Sequence, residues 1–255
     1  MSYEYIEKDG LRDRRLAIPK GQYIAGHAIG IVHLEVWYPL LPGNVVNAAT
    51  YPFPVRFKLL RGSTQEMILR GDPALLDAII EAGRELQVEG VRAIAGACGY
   101  LGRYQRQAAA ALDVPVFLSS LLQAPMIARG LKPAARIGIL CADGPALSPA
   151  VLEACGVTPD IPVTILGLED QPEFSKILYS RGEFDAGRVE QEVVEGARRL
   201  VREHPDTGAI LLECSDMPPF AAAVQRAVKL PVFDFITMIR WVYSAVVQRP
   251  YEGIM

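Results

Sequence analysis

Short apolar runs alternate along the chain with longer stretches in which apolar residues recur every three to four positions. This alternation predicts strands and helices in βα succession, and hence a parallel sheet. Residues 23–32 read as a first strand. Residues 34–54 contain Pro39, Pro42, Gly43, Pro52 and Pro54, too many breakers for a helix, and loops this long in compact domains are often functional. Asp72 followed by Pro73 is a helix cap with proline at the first helical position, so a helix is expected to run from there to about Val88. A strand at 91–97 ends at Cys98, followed by a helix to about Leu112 and a strand at 114–118. A helix over 120–129 stops at Gly130. Next come a strand at 136–140, a short helix opened by Ser148-Pro149 and a strand at 163–167. Residues 185–203 form the longest helix, with Val189, Val193, Val194, Ala197, Leu200 and Val201 on one stripe. A strand at 209–212 ends near Cys214. A helix, a strand at 230–234 and a helix to about Val247 complete the chain.

Within this pattern lies an internal repeat. Cys98 stands 17 residues before Pro115, and Cys214 stands 17 residues before Pro231. A shift of 116 residues overlays the two segments without a gap, matching Ala93 with Ala209, Ile94 with Ile210, Ala111 with Ala227 and the two Pro-Val-Phe triplets. Each segment reads strand, cysteine, helix, strand. A free cysteine at a strand end is often a small core hydrophobe, but equivalent placement in two matching units points instead to a shared role. Cys141 and Cys155 have no counterpart in the repeat and read as structural.

Composition narrows the setting. The chain has 255 residues, 51% of them hydrophobic and 22% charged, with a net charge of −3. That is enough to bury a substantial core, and nothing in it calls for nucleic acid or an anionic membrane. The polar opening stretch 1–20 does not read as a leader, and no apolar run is long enough to span a membrane. A cytoplasmic location with reduced thiols is therefore expected. The four cysteines include no Cys-x-x-Cys pair, and the three histidines do not flank them at metal-ligand spacing. Neither a metal nor a cofactor is expected.

In parallel α/β sheets, ligands bind beyond the carboxyl ends of the strands, where both cysteines fall. Each also precedes a predicted helix, whose N-terminus would stabilise a thiolate and lower its pKa. Two thiols, one on each side of a small ligand, could remove a proton from one face of a carbon and return one to the other face. Backbone N–H groups at the helix starts could hold a carboxylate. Candidate substrate contacts are Gly99, Tyr100, Ser215 and Asp216 beside the cysteines, Ser119 and Ser120 after the next strand, and Asn44, Asn47, Thr50 and Tyr51 in the long loop. Plainer readings stand beside several of these. Ser120 could cap its helix, Tyr51 could be loop packing, Asn47 and Thr50 could be turn residues, and Asp216 could be a helix-start acid.

The segments Ala97-Cys98-Gly99-Tyr100, Glu213-Cys214-Ser215-Asp216 and Tyr38-Pro39-Leu40-Leu41-Pro42-Gly43-Asn44-Val45-Val46-Asn47 resemble the aspartate/glutamate racemase superfamily. That superfamily includes hydantoin racemases, maleate cis-trans isomerases and arylmalonate decarboxylases, and the resemblance runs over roughly residues 26–243. It implies an α/β fold of two pseudo-symmetric flavodoxin-like lobes with parallel sheets and the active site in the cleft between them. Lobe one would comprise residues 1–121 plus 238–255, and lobe two residues 122–237. It also implies that Cys98 and Cys214 are an acid/base pair. Gly99-Tyr100 stands where amino-acid racemases usually show Asn-Thr, and Ser215-Asp216 where they usually show Thr followed by His or Glu, so the pocket differs from theirs. The expected activity is a cofactor-independent racemase or epimerase acting on the α-carbon of a small amino acid or carboxylate. The alternatives are a maleate-type isomerase or decarboxylase using one cysteine, or a two-lobed binding protein without turnover. A dithiol redox role lacks the usual motif. The expected partner is the small-molecule substrate, with self-association into a homo-oligomer left open.

Overall fold

The computed structural model describes residues 15–251 and 253–255. Residues 1–14, on which the reading of the opening stretch partly rests, lie outside the described residues. In the first half the elements are β1 (Ile29–His33), β2 (Val55–Leu59), α1 (Gln65–Arg70), α2 (Ala74–Val88), β3 (Ala93–Gly96), α3 (Gln105–Ala111), β4 (Val116–Phe117) and α4 (Ala124–Gly130). In the second half they are β5 (Arg136–Cys141), α5 (Pro149–Ala154), β6 (Val163–Gly167), α6 (Phe174–Leu178), α7 (Ala186–Glu203), β7 (Thr207–Leu212), α8 (Ala221–Val228), β8 (Val232–Phe233) and α9 (Phe235–Val246). The strands form two four-stranded sheets, ordered β2-β1-β3-β4 and β6-β5-β7-β8. Every pairing is parallel. The molecule is thus a two-lobed α/β protein.

The repeat seen in the sequence is a repeat of register. Ile94 pairs with Val116 and Ala95 with Phe117 in one sheet; Ile210 pairs with Val232 and Leu211 with Phe233 in the other. The equivalence extends to packing. Gly30 on β1 lies opposite Ile94, and Gly138 on β5 lies opposite Ile210. A Cβ at Gly30 would meet the Leu86 side chain of α2, 2.9 Å away, and one at Gly138 would collide with Leu200 of α7. Each sheet therefore gives up a side chain on its second strand so that a helix leucine can reach the backbone. Both leucines are fully buried.

Local chemistry explains the helix boundaries. Asp185 accepts a hydrogen bond from the Arg188 N–H and starts α7, whose stripe Val189, Val193, Ala197 and Leu200 is buried. Asp234 and Thr237 form a capping box that starts α9. That helix turns back onto the first sheet, packing Phe235, Met238, Ile239 and Val242 with Ile29, Ile31, Ala93 and Ala95. No helix among the described residues is long and apolar enough to cross a membrane.

Several elements differ from the sequence expectation. The first strand covers only 29–33, because residues 23–28 run past the sheet, with Gly26 at φ +91° and Tyr23 exposed. β2, α1 and α6 form where no element was expected. β2 is an edge strand, Val-Arg-Phe-Lys-Leu, in which Arg56 and Lys58 pair with Glu89 and Glu85. The segments after the cysteines open with 3-10 turns, Gly99–Tyr104 and Pro218–Phe220, before α3 and α8 begin. Residues Ser120–Gln123 are likewise 3-10.

Substituting Gly138→Ala is expected to cost about 1–3 kcal/mol by overpacking against Leu200. Leu200→Ala should cost less in the Gly138→Ala background than in the native chain. Urea unfolding of the four-member cycle checks both.

Candidate active site

Both cysteines lie just past the carboxyl ends of equivalent strands, Cys98 after β3 and Cys214 after β7. They line one small cavity of about 40 Å³ at the junction of the lobes. Three more walls enclose it, and Gln65, Ala97 and Ala142 also line it. The loop after β1 supplies Leu34, Val36, Tyr38, Leu40, Asn44 and Val46; α6 supplies Phe174, Ile177 and Leu178; and the turns beside the cysteines supply Gly99, Tyr100, Glu213, Ser215 and Asp216. Among the described residues that line it, none is Lys, Arg or His.

Asp216 is buried and gathers four donors. Tyr38 Oη donates at 3.1 Å, Asn44 Nδ2 at 2.5 Å, Ser215 Oγ at 3.4 Å and Cys214 Sγ at 3.5 Å. Burial raises its pKa, and these four bonds oppose the rise. Two of the donors come from the loop of the other lobe. That loop is also tied down by the Val45 N–H on the Ser215 carbonyl at 3.3 Å. Gly43, at φ +101°, packs so closely on Pro219 that a Cβ would lie 2.8 Å from its Cα.

Glu213 has the opposite environment. It is fully buried, yet neither carboxyl oxygen has a hydrogen-bond partner. Burial pushes its pKa up to about 8; the nearby Ala142 N–H opposes this only in part, and Asp143 adds to it. The carboxyl is seated directly against Gly99, where any Cβ would collide with it. This accounts for a glycine after the first cysteine in physical terms.

The expectation of acidified thiols is overturned. Burial raises the Cys98 pKa, with Glu213 adding to the rise, while the N–H groups of Tyr100 and Leu101 at the sulfur oppose it. Burial raises Cys214 further, reinforced by Asp216 and Glu213. The short 3-10 segments provide little of the dipole that a long helix would, and desolvation, reinforced by the carboxyls, outweighs it. Both thiols are thereby held in the protonated form at neutral pH.

The other candidates separate cleanly. Ser215 and Asp216 belong to the cavity. Gly99 lines it as the seat for Glu213. Tyr100 lines it with its ring, but its hydroxyl is engaged by Asp143, accepting from the N–H at 2.6 Å and donating to the carbonyl at 2.8 Å. Five candidates do not reach the cavity, correcting the sequence expectation. Asn47 caps Ala48–Thr50 and donates to the Leu40 carbonyl at 2.8 Å. Thr50 bridges the Gly43 N–H and the Asn44 carbonyl. Tyr51 donates to the Val45 carbonyl at 2.8 Å. These three shape the loop from within. Ser119 caps the 3-10 turn that follows it, and Ser120 Oγ donates to the Leu212 carbonyl at 3.0 Å, joining the lobes behind the site. Cys141 and Cys155 are buried and absent from the cavity wall, Cys155 lying against Gly102 and Ser119.

Asn44, a loop candidate, does line the cavity, whereas Tyr38, Gln65 and Glu213 are polar site residues that sequence reasoning did not single out. Tyr38 was legible only as a member of the breaker-rich loop, and Glu213 only as a neighbour of Cys214.

The raised Glu213 pKa makes stability depend on pH. Below its ordinary value of 4.5 folded and unfolded chains both carry the proton. Between there and about 8 the unfolded chain releases it while the fold retains it, so stability falls across that window and levels off above it. Glu213→Gln removes this contribution. The variant should gain on the native protein by on the order of a few kcal/mol between pH 5 and 8, as read by chemical unfolding at each pH.

Comparison with known proteins agrees with this architecture. The chain is 30% identical over 237 residues to dimethylsulfoniopropionate lyase 7 of Emiliania huxleyi (strain CCMP1516), covering 89% of this chain and 69% of that protein. It is 31% identical over 251 residues to a dimethylsulfoniopropionate lyase of Durusdinium sp. clade D, covering 95% and 83%. Among solved structures, the aspartate racemase of Picrophilus torridus superposes with a TM-score of 0.57 at 14% identity, covering 89% of this chain and 96% of that one. Unliganded arylmalonate decarboxylase superposes with a TM-score of 0.52 at 16% identity, covering 89% and 95%. These two likenesses concern the fold. The model of the Asp/Glu/hydantoin racemase family matches residues 62–241, a span that takes in both cysteine units, two strands of the first sheet and all four of the second, and the chain belongs to that family.

Proposed function

We propose that this protein is a lyase that removes the α-proton of a small β-onium carboxylate of the dimethylsulfoniopropionate type and expels the onium group. The observation that carries the reading is a cavity holding two thiols and two carboxyls with no basic side chain among its described lining residues. Such a cavity favours a ligand that brings its own positive charge. The relatives named as dimethylsulfoniopropionate lyases support the same choice.

The substrate's charge also addresses the raised thiol pKa values. Held against Asp216, with the Tyr38 and Phe174 rings in the same wall, a sulfonium centre lowers the cost of a thiolate nearby. Cys214 is placed to be the base, because its thiol proton has the Asp216 carboxylate 3.5 Å away to move to. The thiolate takes the α-proton, the electron pair forms the α–β double bond, and the β-carbon–sulfur bond breaks with its electrons leaving on sulfur. The products are a neutral dialkyl sulfide and an unsaturated carboxylate. The abstracted proton returns to solvent before the next turnover.

A second reading is favoured by the paired thiols and by the family itself: a two-base racemase in which Cys98 and Cys214 work on opposite faces of one carbon. The readings differ in what they require. Elimination needs one base, whereas racemisation needs both thiols.

Incubation with dimethylsulfoniopropionate and headspace detection should show dimethyl sulfide. Cys214→Ser should reduce its release by about 10²–10⁴-fold, the usual worth of a general base. Cys98→Ser should cost much less. No sulfide from the native protein, together with α-proton exchange of amino acids in D2O that needs both cysteines, would establish the racemase instead.

A further inference from the structure

An onium carboxylate has two ends, and the cavity has two different carboxyl groups. Asp216 is surrounded by four donors and suits an anion. Glu213 is the cavity-lining side chain that, among the described residues, the fold leaves buried without a partner. An unmatched buried carboxyl costs stability, so its persistence calls for a ligand-based explanation.

We infer that Glu213, seated against Gly99, acts as a neutral hydrogen-bond donor to the carboxylate of the substrate, leaving the Asp216 side of the cavity to the cationic end. This rests on the lyase reading for the identity of the substrate, though not for the role of the donor.

Most other donors of the cavity, Gln65 excepted, are already committed. The N–H groups of Tyr100 and Leu101 face the Cys98 sulfur, and that of Asp216 faces the Cys214 sulfur. The hydroxyl of Tyr100 is held by Asp143. Tyr38, Asn44 and Ser215 serve Asp216. With no Lys, Arg or His among the described lining residues, an incoming carboxylate has the buried Glu213 carboxyl and the half-buried Gln65 amide to meet. The titratable groups that face Glu213 are Cys98, Tyr100, Cys141, Cys155, Cys214 and Asp143. All of them are acids, none is a cation, and so Glu213 keeps its proton up to about pH 8.

A carboxylic acid kept neutral by its surroundings so that it can donate is a known device of carbon-acid catalysis. Its hydrogen bond to a carboxylate is of the strong, charge-assisted kind. It would also strengthen during reaction. As the α-proton leaves, negative charge moves onto the substrate's carboxylate oxygens, where the donor lies. Gly99 keeps the position open, since any side chain there would displace the Glu213 carboxyl.

The test separates the two ends of the ligand by calorimetric titration. One probe is 3-(methylthio)propanoate, the acid without the positive charge; the other is ethyldimethylsulfonium, the onium without the acid. The native protein should bind the acid with steady affinity up to about pH 8 and more weakly above. Glu213→Gln, still a donor, should bind it about as well and lose that pH dependence. Glu213→Leu should bind it at least about tenfold more weakly, the worth of one hydrogen bond to a charged group. Neither variant should change sulfonium binding. Thermal melts confirm folding, and Glu213→Leu, which removes an unmatched buried carboxyl, should melt no lower than the native chain. Undiminished acid binding by Glu213→Leu, weaker sulfonium binding by Glu213→Gln, or no acid binding by the native protein at any pH would each overturn the inference. Sulfide release is read in a separate assay. Acid binding through Glu213 without sulfide release would sink the lyase reading alone, and sulfide release with undiminished acid binding by Glu213→Leu would sink this inference alone.

Discussion

The close approach of the turn after β3 to the turn after β7 is the contact on which the cleft depends. Gly99 gives up a side chain so that Glu213 can lie against its backbone. That contact brings the two thiols into one cavity and removes their surroundings from water. Burial then dominates the electrostatics, raising the pKa values of Cys98, Cys214, Glu213 and Asp216 together. With no Lys, Arg or His among its described lining residues, the site holds protons tightly and is complementary to positive charge.

The parts of this arrangement that were legible in the sequence are those that repeat. The 116-residue shift, the paired cysteines and the two Pro-Val-Phe strands follow from a sheet register that both lobes share, and register is imposed by burial of specific side chains. Helices with an explicit cap, such as α7 behind Asp185, were equally plain. The edge strand β2 was hidden because its alternating Arg56 and Lys58 look like solvated loop and are stabilised by acids on α2. The six-residue α1 and five-residue α6 are too short for a periodic pattern to rise above chance.

The two thiols of the cavity were legible in the sequence, and their surroundings much less so. Cys98 and Cys214 carry a chemical signature of their own. Asn47, Thr50 and Tyr51 are the same kinds of residue as Tyr38 and Asn44, and they come from the same loop. Only the folded path of that loop decides which hydroxyl or amide turns inward to Asp216 and which is spent on backbone groups of the loop. The state of the thiols was misjudged for a related reason. A helix start can be inferred from sequence, but the desolvation that outweighs it comes from residues more than a hundred positions away.

One wall of the cavity differs from the rest in mechanical kind. The thiols sit on turns clamped between strands and the joined backs of the lobes, where Ser120 and the Tyr100–Asp143 pair hold them. The facing wall is a stretch of loop held by a few side-chain bonds and by two backbone bonds between lobes, Val45 to Ser215 and Gly182 to Trp37. The thiols thus rest on one side, and two of the four groups that surround Asp216, Tyr38 and Asn44, on the other. A scaffold divided in this way can change which small molecule it accepts by remodelling the loop while the placement of the thiols stays fixed. Related chains could therefore share the cysteine pair and still process different compounds.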